Sequence, residues 1–205
     1  AHPGLQLVMG TNNNALAAGG YGTPWSAGLM TSSAYTDQWV QMIIEAFGSA
    51  DAAEAQLGMI LLGNEVDANG PPPDDPAFAN YQTWINQSFS NLKTSLANAG
   101  LGSIPVSTTI ANYGATNAIA TGTTDYIQSN WSSAWNGNSP VVLFNQYTPA
   151  DASGHEAATT NYAPVINYFN SVDQALNGSV EPLVGETGYS TYYGAANQAL
   201  VYNQI

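Results

Sequence analysis

Four apolar residues in a row, Met59-Ile60-Leu61-Leu62, followed at once by Gly63, Asn64 and Glu65, set the tightest limit on the fold. A run that short and without alternation reads as a strand buried on both faces, the condition of a parallel sheet covered by helices. Polar groups begin where the run stops. Pro182-Leu183-Val184-Gly185-Glu186-Thr187-Gly188 has the same form, and so does Pro140-Val141-Val142-Leu143-Phe144 ahead of Asn145-Gln146-Tyr147. Leu5 to Gly10, ending in Thr11-Asn12-Asn13-Asn14, and Pro105 to Ile110, with polar alternates, complete the set.

Helical periods fall between these runs. From about Thr36, residues Trp39, Met42, Ile43, Ala46 and Phe47 share a face, with Asp37 in the first turn and Gly48 as a stop. After three prolines at 71–73, Asp75-Pro76 is a helix start, and Phe78, Tyr81, Trp84, Ile85, Phe89, Leu92 and Leu96 keep the period to Gly100. Further helices are expected near 124–135, over Val165 to Leu176, and from Tyr192 onward. The stretch carrying Tyr21 and Trp25 reads as a Gly-rich loop.

Strands near 5, 59, 105, 140 and 182, each followed by a helix, repeat at roughly 45 residues, the spacing of a (β/α)8 TIM barrel. The alternative α/β arrangement is an open doubly wound sheet. It fits less well, because no Gly-rich phosphate turn follows a strand and polar groups close every strand. Residues 1–205 are read as a single domain, since 205 residues fill one sizeable core and hardly two.

Charge narrows the partners. One basic residue, Lys93, stands against fourteen acidic ones, a formal net charge of -13. Nucleic acid and anionic membrane surfaces are therefore excluded as partners, and phosphoryl transfer lacks its cationic clamps. Cysteine is absent, which removes disulfides and thiolate chemistry. No stretch has the length of a membrane span. His155 has no second ligand at metal spacing, so neither a metal nor a cofactor is expected. Charged residues make up 7% of the chain, and a surface polar through amides and hydroxyls points to a secreted or cell-wall protein. Three Asn-x-Ser sequons, beginning at Asn86, Asn130 and Asn177, are consistent with a glycoprotein.

Glu65 and Glu186 are the glutamates that follow strands, three βα units apart. A single such glutamate is ordinarily a solvated loop carboxylate. Two with matching context fit glycosidic bond cleavage, which needs one carboxyl group to protonate the leaving oxygen and another to attack or to activate water. Trp25 and Tyr189 lie where sugar-stacking aromatics belong, although each could equally be a packed side chain, and Asp67 lies two residues past Glu65.

Leu-Leu-Gly63-Asn64-Glu65-Val66, Leu-Phe-Asn145-Gln146-Tyr147 and Val-Gly185-Glu186-Thr187-Gly188 together resemble the motifs of glycoside hydrolase family 17, the β-1,3-glucanases and β-1,3-glucanosyltransferases of the Asn-Glu clan of TIM-barrel glycosidases. The resemblance implies a retaining mechanism through a covalent glycosyl-enzyme intermediate. It implies Glu65 as acid/base, Glu186 as nucleophile, Asn64 on the hydroxyl beside the anomeric carbon, and Asn145 and Tyr147 at the substrate. Where the family usually continues Glu-Thr-Gly with Trp-Pro, this chain has Tyr189-Ser190. Aligned by the motifs, the chain corresponds to about five βα units, barrel strands 3 to 7, with no counterpart of strands 1, 2 and 8. The expectation is therefore part of a longer protein, because five staves alone would leave the barrel open and activity in doubt. The expected substrate is β-glucan and the expected state monomeric. Hydrolysis, glucanosyl transfer, and glucan binding without catalysis at a cell surface all remain open at this point.

Overall fold

The computed structural model describes residues 6–20, 22–72, 74–111, 141–147 and 181–188. The helices expected near 124–135, over 165–176 and beyond 192 lie outside them, as do Tyr189, His155 and the sequon asparagines at 130 and 177.

The apolar runs are strands, as their lack of alternation requires. β1 (Leu7–Gly10) pairs in parallel with β4 (Leu57–Leu61), and β4 with β5 (Val106–Ser107). β6 (Thr109–Ala111) pairs in parallel with β7 (Val141–Tyr147), and β7 with β8 (Glu181–Gly188). Thr108 joins the two sets. Its carbonyl accepts from Leu143 N at 3.2 Å, and its hydroxyl donates to the Leu62 carbonyl at 2.7 Å. Residues 106–111 thus act as one interrupted strand, and the parallel order β1, β4, β5/β6, β7, β8 follows the chain. A doubly wound sheet would reverse its order at a switch point; a barrel does not.

α1 (Ser33–Phe47) is capped by the Ser32 hydroxyl, which accepts from Tyr35 N, and it ends on Gly48 at φ +87°, the left-handed stop a glycine supplies. It starts three residues before the expected point, so Asp37 falls beyond the first turn. Its buried face also differs from the one expected. Thr36, Val40 and Ile43 are buried, whereas Met42 is 54% exposed and Ala46 is exposed. The reason is α4 (Phe78–Asn98), which meets α1 through a polar seam: the Ser95 hydroxyl donates to Asp37 Oδ1 at 2.6 Å and lies 2.9 Å from the Thr36 hydroxyl. A threonine faces inward where apolar counting would have placed a methionine.

On α4 the expected stripe is in place. Tyr81, Ile85, Phe89, Leu92 and Leu96 are fully or nearly fully buried against Met30, Val40, Ile43, Ile60 and Leu62. Asp75 accepts from Ala77 N at 2.7 Å and so initiates the turn ahead of the helix.

Two elements carry no apolar signal. α2 (Ala50–Gln56) is Ala-rich, capped by Ser49, and buries Ala53. Intrinsic propensity and the cap form it, not an apolar face. The Gly-rich loop is in fact a hairpin, β2 (Ala17–Gly20) against β3 (Thr23–Ala27), set between β1 and α1. Apart from Pro24 and the half-buried Trp25, its strands are built of small, mostly exposed residues, so no alternation betrays them. Gly28 closes it where a Cβ would lie 2.4 Å from the Leu16 carbonyl carbon.

At the outer edge of the described sheet, Leu7 and Val8 of β1 are 57% and 56% exposed. Asn86 of the first sequon lies half-buried within α4, and its partner Ser88 is in the core. The Ser88 hydroxyl is buried without a hydrogen-bond partner. Ser88→Ala is therefore expected to stabilise the protein by about 1 kcal/mol, because an unsatisfied buried hydroxyl carries its full desolvation cost. A rise in the urea midpoint at unchanged slope would show it.

Candidate active site at the carboxyl rim of the sheet

Parallel strands place all their carboxyl ends on one rim, and the polar residues of this chain gather there. After β4 the backbone passes through Gly63 at φ +70° to Glu65 at φ 50°, ψ 55°. Glu65 is the one described non-glycine residue with positive φ. A left-handed conformation costs an L-residue roughly 1–2 kcal/mol, so its surroundings must hold it there.

The holding contacts come from both neighbouring strands. Gly63 N donates to the Thr11 hydroxyl at 2.9 Å, and Asn64 N donates to Asn13 Oδ1 at 2.8 Å, both acceptors lying just past β1. Glu65 N donates to the Thr109 hydroxyl of β6 at 2.6 Å, and that hydroxyl donates to Asn64 Oδ1, also at 2.6 Å. Three successive amides of the β4 turn thus end on side chains of adjacent strand ends. From the other side, Asn69 of α3 (Val66–Asn69) donates through Nδ2 to the carbonyls of Asn64 and Glu65 at 3.1 and 3.2 Å. The Tyr81 hydroxyl donates to the Val66 carbonyl at 2.9 Å. Asn64 and Glu65 themselves are half-buried.

Trp25, expected at a sugar platform, lies in β3. It is half-buried, with its ring centroid 6.3 Å from that of Tyr81 and the planes at 41°. Trp25 is thereby one aromatic contact and one hydrogen bond from Val66, the residue after Glu65. The Tyr81 ring lies so close to Gly70 that a Cβ there would fall 2.1 Å from Cε1.

β8 supplies the second glutamate. Its register with β7 runs from Val141↔Glu181 to Phe144↔Val184 and then continues as Asn145↔Glu186. Gly185 is the extra residue, a bulge immediately ahead of Glu186, the kind of irregularity that re-aims a strand end beside a site. Asn145 pairs with Ala111 on its other side, and Tyr147 pairs with Gly188. The backbone thus brings Asn64, Glu65, Asn145, Tyr147 and Glu186 to one rim. The side chains of Asn145, Tyr147, Glu186 and Asp67 lie outside the described set, and with them the separation of the two carboxyl groups. Among the described residues no group of three or more His, Cys, Asp or Glu side chains could hold a metal, and no helix is long and apolar enough to cross a membrane.

Thr11, Asn13, Thr109 and Tyr81 were not singled out by motif. The signal for the first three is the polar run after β1 and the consecutive polar residues 107–109, the latter buried, whereas Tyr81 shows in the sequence only as part of the α4 stripe.

Among the described residues, parallel strands in chain order, helices after β1 and after β4, and polar residues collected at the carboxyl ends define an α/β protein of the TIM-barrel class. Comparison with known proteins agrees at the level of fold. A structure reported for plant β-glucan endohydrolases with distinct substrate specificities is similar with a TM-score of 0.58 at 18% identity, over 98% of this chain and 68% of that one. A hyperthermophilic β-glucosidase mutant matches with a TM-score of 0.46 at 15% identity, over 87% of this chain and 50% of that one. No protein-family model matches the chain, and no curated protein matches it.

Proposed function

We propose that this chain carries the active site of a retaining glycoside hydrolase acting on β-1,3-glucan, with Glu65 as acid/base and Glu186 as nucleophile. The observation that carries the reading is the rim itself: a glutamate fixed in a strained turn by both neighbouring strands, and a second, preceded by a bulge, three strand positions away. The fold shared with a β-glucan endohydrolase supports the substrate class.

Three steps of about 4.8 Å separate β4 from β8, roughly 14 Å along a flat sheet. Curvature toward a barrel shortens that chord, and two inward glutamate side chains would bridge most of the remainder. The reading requires carboxyl groups about 5 Å apart, and a separation near 9 Å would instead indicate inversion.

In this mechanism Glu65 protonates the glycosidic oxygen while Glu186 attacks the anomeric carbon, and water activated by Glu65 then releases the sugar. Asn64 would donate to the 2-hydroxyl, Asn145 and Tyr147 would line the nucleophile, and Trp25, Tyr189 and Asp67 would contact further sugar rings. Secretion is supported by the small share of charged residues, 7% of the chain, and a monomeric state is proposed with it. Incubation with laminari-oligosaccharides followed by product sizing tests the reading, and shorter products are expected. Longer products would assign glucanosyl transfer, and binding without turnover would leave a glucan-binding protein in place of an enzyme.

A further inference from the structure

We infer that Thr109 is a positioning residue that decides which end of the Asn64 amide faces the sugar. This deepens the proposed function and rests on it. The Thr109 side chain is 1% exposed, with its hydroxyl between two successive residues of the neighbouring strand's turn. A hydroxyl has one hydrogen and two acceptor sites. Here an acceptor site takes the Glu65 N–H at 2.6 Å, and the hydrogen goes to Asn64 Oδ1 at 2.6 Å.

Two consequences follow from those two bonds. The Asn64 amide has its oxygen held by Thr109 and so a fixed orientation, and under the proposed function its NH2 meets the sugar hydroxyl as a donor. The N–H bond fixes the left-handed backbone of Glu65, and so the point from which the acid/base side chain departs. Thr109 need not touch the substrate. It belongs to β6, so the order of the adjacent strand is transmitted to Asn64 and Glu65 through one oxygen. Asn13 and Thr11 hold the same turn from the β1 side, each by accepting from a backbone amide.

The test uses Thr109→Val, which keeps the shape and removes the hydroxyl, and Thr109→Ser, which keeps the hydroxyl. With laminari-oligosaccharides, Thr109→Val is expected to lower kcat/KM by about 30-fold or more while Thr109→Ser stays within about 3-fold of the parent. Combined with Asn64→Ala, Thr109→Val should cost less than it does alone, because the amide it orients is gone while the bond it accepts from Glu65 N is still lost. Strict additivity of the two losses, or a valine variant as active as the parent, overturns the inference. Crystal structures of the parent and both variants decide it without turnover. The Asn64 amide should turn, or Glu65 leave positive φ, in Thr109→Val and not in Thr109→Ser. An unaltered turn in a folded valine variant overturns the inference. If the valine variant does not fold, the serine variant must keep both bonds, and loss of either overturns it. A parent protein that cleaves and transfers no glucan removes the proposed function, and the structures then decide the Thr109 geometry alone.

Discussion

Glu186→Ala is expected to reduce turnover of laminari-oligosaccharides by about 10³-fold or more while leaving their binding intact, since covalent catalysis loses its nucleophile and the subsites keep their walls. Adding azide makes the result specific. With an aryl β-glucoside as donor, the space vacated by the Glu186 carboxylate admits azide on the α face. Glu65 can still assist the leaving group, and the product is the α-glucosyl azide. Glu65→Ala should behave in the opposite way. An activated leaving group departs without an acid, the glycosyl-enzyme forms on Glu186, and azide enters from the β face to give the β-glucosyl azide. The two configurations assign the two roles independently of rate. Exchanged configurations would reverse the assignments, and wild-type turnover in Glu186→Ala would remove the nucleophile from this residue altogether.

The parts of the site open to reading in the sequence are those that local pattern controls. β4 announces itself as an apolar run with a glutamate behind it, and β8 as an apolar run leading into one. β8 nevertheless stays in the sheet through Glu186 and Thr187 to Gly188, and its Leu183 is 38% exposed where a strand covered on both faces is expected. α4 is legible for the parallel reason that Tyr81, Ile85, Phe89, Leu92 and Leu96 recur at the helical period and are all buried. The hairpin of Ala17 to Ala27 escapes, since its register rests on backbone pairing among small residues. The inward face of α1 escapes because Thr36 is buried through hydrogen bonding to α4. What makes Glu65 unusual is also non-local. Its backbone angle is set by Thr109, 44 residues away, and its turn by Asn13, 51 residues from Asn64. A motif identifies the glutamate but is silent on the strand ends that hold it.

That dependence on distant partners makes Gly63 the position where the fold and the site are most tightly joined, and Gly63→Ala is expected to destabilise the protein by about 2–4 kcal/mol. Two effects add. At φ +70° any Cβ is strained, and a Cβ built there lies 2.8 Å from both Asn13 Oδ1 and Leu16 Cδ1 and 3.1 Å from Val66 Cγ1. Asn13 Oδ1 is the acceptor for Asn64 N, so relieving the clash pulls the oxygen from the amide it serves. Gly100→Ala supplies the control, for it has φ +79° and nothing within 4 Å of the new Cβ, so it carries the backbone strain of roughly 1 kcal/mol and no contact. The difference between the two urea midpoints isolates the steric part. Equal shifts would mean that the turn accommodates a methyl group freely. Glu65 would then be held less rigidly than three cross-strand amide bonds imply, and catalysis in the alanine variant should survive. A Gly63→Ala shift well beyond that of Gly100→Ala, with turnover falling in step, would tie the strained turn directly to the chemistry.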